Sequence, residues 1–357
     1  MISKNRRIGA LPAAFLAASL ALACAHARPL NPRAVALEAD GAVSLARGDL
    51  DRAAGQFALA LDYEPRFAEA ENGLGLVALR YQDWPRAEEH FAAALALDEN
   101  LAEAHLNLGG LLLRHERAEA ALEHFRAALA IDPGYGEARL AAGEVLLRLG
   151  RPVDARWELA KLCAVEPGRA EARAAHALAL AATGRRALAE TEARAALELD
   201  PRLPMAHRAR AEILRRAGDF EGATDELRVA LGSGPGELDD RVALVTVLAA
   251  RRLWDDVDRE LAGLVLAAPA RAEVRFLIAY AALARERFDV AEAAAGEALE
   301  LRPRYAEARL VRAEAFARER RDGEARRELE QFLRDAPPEL AAERARAEAF
   351  LRRARPR

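Results

Sequence analysis

The sequence is poor in aromatic residues, lysine, methionine and cysteine, and it carries no excess of positive charge. Each shortage removes a class of protein. Aromatics make up 5% of the 357 residues while apolar residues reach 52%, so alanine and leucine must supply most of the core. Side chains of this kind suit closely packed helices, whereas strands draw on valine, isoleucine and aromatics. Basic residues number 53 against 57 acidic ones, a net charge of −4. That balance excludes the basic surface expected of a nucleic-acid binder. Only Lys4 and Lys161 are lysine, a bias that reads as the codon usage of a GC-rich genome. The two cysteines, Cys24 and Cys163, lie far apart, and Cys24 has a better explanation than a bridge.

Catalytic signatures are missing as well. No phosphate-binding glycine loop, nucleophile elbow or HExxH pattern occurs, so the chain reads as a non-enzyme with no cofactor and no small-molecule substrate. His90 and His124 are 34 residues apart, with only Glu89 and Glu123 beside them. A metal site would need two or three more ligands, so this pair reads as a surface ladder and no metal is expected. Leu61, Leu95 and Leu129 precede Cys163 at intervals of 34 residues, so Cys163 stands in a leucine's place and reads as a buried thiol.

The amino terminus has the form of an export signal. Lys4, Arg6 and Arg7 precede an uncharged apolar run from Ile8 to Ala23, shorter than the roughly 20 residues a membrane span needs. Ala21-Leu22-Ala23-Cys24 resembles a bacterial lipobox, giving a signal peptide over 1–23, a lipid on Cys24 and a tether over 24–33. The competing exits are cleavage after Ala25-His26-Ala27, giving a soluble periplasmic or secreted product, and an uncleaved anchor. With the lipid in place, Cys163 remains the one ordinary thiol, and no intramolecular disulfide is expected.

What the chain has in abundance is a 34-residue beat. Prolines fall at Pro65, Pro133, Pro167, Pro201, Pro235, Pro269, Pro303 and Pro337, every gap being 34 or 68 residues. A period in this range marks a solenoid. Placing proline at position 32 gives nine repeats over 34–339, starting at 34, 68, 102, 136, 170, 204, 238, 272 and 306. Position 20 is then alanine in every repeat except the seventh, and position 8 is glycine or alanine with the same exception. Position 24 carries Phe57, Phe91 and Phe125, then mostly leucine. Small residues at fixed places let two helices approach to roughly 8–10 Å.

This pattern resembles the tetratricopeptide repeat family. The resemblance implies an all-α, right-handed superhelical solenoid of helix-turn-helix units, with helix A lining a concave groove and helix B outside. Gly48, Gly150, Gly184 and Gly218 sit at the turn between them, where a helix end favours glycine. The family's aromatic at position 4 is replaced by polar residues, from Glu71 and His105 to Arg309. Residues 340–357 are expected to form a capping helix, which an open-ended array requires. Repeat 7 departs most, and it follows Gly232-Ser233-Gly234-Pro235-Gly236. That stretch reads as a glycine-rich turn or as a flexible joint between repeats 1–6 and 7–9.

The resemblance also places the partner. Helix A positions 2, 5, 6, 9, 12 and 13 point into the groove, so Leu79, Leu106, Leu113, Leu140 and Leu147 form a leucine stripe bordered by Arg80, Arg114 and Arg148. Phe276, Leu277, Tyr280, Leu283, Leu310 and Val311 form a second patch in repeats 8 and 9. Expected partners are proteins or peptides in this groove, and a membrane through Cys24. The chain is expected to be a periplasm-facing scaffold lipoprotein resembling those that assemble pili, outer-membrane proteins or exported polysaccharide. The alternative is a cytoplasmic or inner-membrane-anchored regulatory adaptor.

Overall fold

A computed structural model of the protein describes residues 29–115, 117–232, 238–336 and 340–353. The expected export signal, Cys24 and the glycine-rich stretch 233–237 lie outside these residues. The described residues form helices and turns, with no strand among them. Repeat 1 folds as α1 (Pro32–Arg47) and α2 (Leu50–Tyr63), repeat 2 as α3 (Ala68–Arg80) and α4 (Trp84–Leu97). Repeat 3 gives α5 (Ala102–Arg114) and α6 (Ala118–Ile131), repeat 4 α7 (Gly136–Arg148) and α8 (Pro152–Val165). Repeats 5 and 6 give α9 (Ala170–Ala182), α10 (Arg186–Leu199), α11 (Pro204–Arg216) and α12 (Phe220–Gly232). Then come α13 (Leu238–Ala250), α14 (Trp254–Ala267), α15 (Ala272–Ala284), α16 (Phe288–Leu301), α17 (Ala306–Arg318), α18 (Asp322–Asp335) and a last helix, α19 (Ala341–Arg353).

The fold is therefore a solenoid of helix-turn-helix repeats, and its core follows the repeat register. The residue at position 20, from Ala53 to Ala325, is completely buried in all nine repeats. Position 27 is buried almost as fully, whether it holds Ala60, Leu162 or Phe332. These residues form the seam between the two helices of each unit. A larger side chain at position 20 would overpack it, at about 1–3 kcal/mol.

Each described A–B turn closes in the same way. The residue at position 15 takes a left-handed conformation, and the amide after it donates to the carbonyl at position 11, as Asp49 does to Ser44 and Arg287 to Ala282. This is a Schellman closure. Glycine holds the left-handed position at 48, 150, 184 and 218, but Gln82, Arg252, Glu286 and Arg320 hold it in other repeats.

The polar residues at position 4 also have a structural task. Proline at position 32 presents a carbonyl near the start of the next helix A that has no helical donor of its own. Arg173 donates to the Pro167 carbonyl at 2.8 Å, His207 to Pro201 at 3.1 Å and Arg309 to Pro303 at 2.7 Å. The other end of each side chain meets the acid at position 23: Glu192 at 2.8 Å, Glu226 at 2.7 Å and Glu328 at 3.2 Å respectively. His105 reaches the carbonyl of Glu99, which stands where the proline is missing. One side chain thus ties the inter-repeat turn to helix B. An aromatic at this position cannot make both contacts.

Contacts divide the chain into two compact units whose boundary falls within α7, between Val145 and Leu146. The first is built around Phe57, Phe91 and Phe125, all essentially buried. In the second, alanine and leucine fill the same places. Val245, Val257 and Leu264, the large residues of repeat 7, are buried in one cluster with Leu227, Leu248 and Leu277. At the end of this unit α19 packs Ala347, Phe350 and Leu351 against Leu329 and Phe332, covering the face that a further repeat would bury.

Candidate binding surfaces

In the first unit, Leu79, Leu106, Leu113 and Leu140 are half-buried on the helices A. They differ in what holds them. Leu106 packs beside Ala102, Ala128 and Tyr135 and belongs to the seam between repeats. Leu45, at the same position 12 as Leu79 and Leu113, is in the core with Phe57 and Val77. The arginines beside them are exposed, Arg80 and Arg114 included. Arg114 lies over the ring of Trp84 at 5.0 Å, a cation–π contact, and that ring meets His115 edge-on. Such a contact is worth about 0.5–1 kcal/mol at an exposed site, so Arg114 is partly occupied within its own unit.

In the second unit, Leu147 is half-buried and Arg148 exposed. Arg148 reaches Asp239 on α13, 91 residues away, at 3.4 Å. Arg208 lies 3.7 Å from the same carboxylate and 3.1 Å from the fully buried Asp240. Arg271 holds Asp239 from the far side and also pairs with Glu273. Burial alone would raise the Asp239 carboxyl, but Arg271, Arg148 and Arg208 outweigh it and hold the group below the usual carboxylate range. Glu273 is held down in the same way, burial being outweighed chiefly by Arg302. The inner side of these helices is a charge network rather than an apolar surface.

The apolar surface of the second unit lies beyond that network. Tyr280, Leu283 and Leu310 line a groove of about 540 Å³ with Leu329, Ala347 and Phe350. Its walls are α15, α17 and the last helix, and its rim carries Glu314, Glu343 and Arg346. Phe276 is not in its lining. That ring packs on Tyr305, tilted by 43° with centroids 5.1 Å apart, and lies 6.2 Å from Tyr280, which does line the groove. Leu277, 1% exposed, is a core residue outside the groove, whereas Val311, 7% exposed, contributes to its floor. Tyr305, which has no place in the sequence pattern of groove positions, is the side chain that fixes Phe276. Arg302 covers its other side at 4.8 Å, and burial with nearby Glu273 raises its hydroxyl.

No described helix is long and apolar enough to cross a membrane. Family models of the tetratricopeptide repeat match residues 41–102, 78–136, 174–237 and 276–339, and a second such model matches 112–178. No curated protein matches the chain. Among solved structures, a tetratricopeptide repeat protein of Parabacteroides merdae is 16% identical, covering 80% of this chain and 100% of its own, with a TM-score of 0.48. PilW, a type IV pilus biogenesis factor, is 23% identical over 58% of this chain and 96% of its own, with a TM-score of 0.46. YrrB, described as having an unusual peptide-binding site, is 22% identical over 55% of this chain and 97% of its own, with a TM-score of 0.44.

Proposed function

The chain belongs to the tetratricopeptide repeat family, and on that premise we propose that it is a non-catalytic scaffold holding a peptide or helical segment of another protein. Members of this family serve as protein-interaction scaffolds and are generally without catalytic activity. The groove lined by Tyr280, Leu283, Leu310 and Phe350 carries the reading. It is apolar at its floor and charged at its rim, the form in which a helix or extended segment is received side-on. The half-buried Leu79, Leu113 and Leu140 offer a second, shallower contact in the first unit. These three leucines buried together contribute at most roughly 5–9 kcal/mol, against association costs of about 4–15 kcal/mol. A modest affinity follows.

The place of action is the bacterial envelope, on the periplasmic side, with a lipid on Cys24 as the anchor and the outer membrane as the destination. The charged start, the apolar run to Ala23 and the cysteine after it support this reading. The work done there is assembly or export of surface structures. Two measurements test the proposal separately. Palmitate labelling of the wild type and of Cys24→Ala addresses the anchor, and an unlabelled, unprocessed, soluble product would remove the envelope from the account. Crosslinking followed by purification, compared with Tyr280→Asp and Leu113→Asp, addresses the surfaces. Loss of partners from Tyr280→Asp is expected, and an unchanged set in both variants overturns the assignment.

A further inference from the structure

Cys163, His176 and Glu192 converge where repeats 4 and 5 meet in the second unit, away from the groove. Cys163 comes from α8, His176 from α9 and Glu192 from α10, and a ligand atom of each lies within 4.8 Å of the others. All three side chains are half-buried.

The repeat register shows what is unusual here. Position 28, held by Cys163, is leucine or valine in the other eight repeats. Position 7, held by His176, is Arg210 in repeat 6 and Arg312 in repeat 9. Both of those arginines pair with the position-23 glutamate of their own repeat, at 3.0 and 3.5 Å. In repeat 5 the shorter imidazole stops at 3.7 Å from Glu192 Oε1. Its Nδ1 is buried and makes no hydrogen bond. Buried polar atoms are nearly always satisfied, so this one calls for a partner. The second oxygen of Glu192 is already held by Arg173 at 2.8 Å, which fixes the carboxylate with Oε1 toward the ring.

We propose that Cys163, His176 and Glu192 form a binding site for a borderline-soft divalent cation, zinc above all. Thiolate, imidazole and carboxylate are the donors zinc takes, and three protein ligands leave the fourth tetrahedral position to water. Bond lengths of about 2.0–2.3 Å place neighbouring ligands roughly 3.3–3.7 Å apart, so the cluster closes by about an ångström, within the reach of side-chain rotation. Binding exchanges the thiol proton for the metal and releases it to solvent. Arg173, bonded to the outer carboxylate oxygen, takes the part of the outer partner that orients a ligand.

The test uses the full chain with Cys24→Ala, so that Cys163 is its single thiol. Cobalt(II) titrated into the metal-free protein is expected to give a sulfur-to-cobalt charge-transfer absorption that saturates at one equivalent and disappears when zinc is added. Cys163→Leu and His176→Arg install what other repeats carry at those positions, so both variants fold, as circular dichroism verifies. Cys163→Leu is expected to abolish the absorption and His176→Arg to weaken cobalt binding at least tenfold. Zinc is also expected to slow modification of the thiol by a disulfide reagent at least tenfold. Absence of the absorption in the parent, its persistence in Cys163→Leu, or a modification rate indifferent to zinc overturns the proposal.

Discussion

The ring of Phe57 fills the place that a side chain on Gly73 would need: a Cβ at Gly73 would lie 2.5 Å from the ring edge. The same ring lies 2.8 Å from the corresponding point on Gly41 in its own repeat. One phenylalanine is therefore seated between glycines of two successive helices A. Phe91 against Gly75 and Phe125 against Gly109 repeat the fit to position 8. Phenylalanine occupies position 24 only where position 8 is glycine; Ala211 faces Leu227 and Ala177 faces Ala193 in later repeats.

Gly75→Ala should therefore change sign with its background. In the wild type the Cβ would meet Phe91 at 2.5 Å, an overpacking cost of about 1–3 kcal/mol against a helix-propensity gain of about 1 kcal/mol. With Phe91→Leu already present, the same substitution should stabilise by up to about 1 kcal/mol. Thermal melting of the four proteins measures this, and equal effects in both backgrounds would contradict the fit.

Left-handed turns held by side-chain-bearing residues are a second point of strain. A left-handed conformation costs such a residue about 1–2 kcal/mol, so Glu286→Gly and Arg252→Gly should each stabilise the fold by roughly 1 kcal/mol, seen as a higher unfolding midpoint. Gly150→Ala, at φ 69° with open space around it, should lose a similar amount. Stabilities unaffected in all three would show that the turns are relaxed.

His105 and His124 form the one pair at positions 4 and 23 among the described residues in which both members are imidazoles, Nδ1 to Nδ1 at 2.9 Å. His105 Nε2 faces the Glu99 carbonyl and donates there, so its Nδ1 accepts from His124. Burial, with His105 and Arg117 outweighing Glu123, lowers the His124 pKa below its ordinary value of 6.5. A depressed base favours the folded state above the unfolded value, and this contribution is lost as pH falls through the folded value. The melting temperature of the wild type should drop as pH falls below about 6.5. His124→Glu recreates the His207–Glu226 arrangement and should remove that drop; an unaltered pH profile would refute the assignment.

Asp239 governs a more acidic window. Its carboxyl is held low by three arginines, so its stabilisation is present above the unfolded value of about 3.9 and is lost as pH falls through the lower folded value. Asp239→Asn should cost about 1–2 kcal/mol at neutral pH, less in high salt because the group is partly exposed. It should also flatten the acid limb below about pH 4. Acid limbs of equal slope would mean that the carboxylate is not the group responsible.

The helical-repeat fold could be read from the sequence because its signal is carried by small residues that recur at one spacing, and burial of Ala53 through Ala325 is a local matter repeated nine times. The surfaces were less accessible to that reading. Helical spacing places Leu45, Leu79 and Leu113 on one face, but whether each is core or surface depends on the neighbouring repeat, and Leu45 is core. Arg148 looks like a groove residue until α13 brings Asp239 to it. Tyr305 lies at the end of its repeat, where the pattern assigns no role, yet its ring sets the position of Phe276. Nothing in the sequence around His176 marks it beside His90 and His124, because the residues near it, Cys163 and Glu192, come from other helices.

The bond from Arg148 to Asp239 has a mechanical side. Repeat arrays are held together mainly by contacts between neighbouring repeats. The contact between Arg148 in the fourth repeat and Asp239 in the seventh ties together repeats three steps apart and so resists their separation. Because the pair is half-exposed, salt weakens it, so that resistance falls as ionic strength rises.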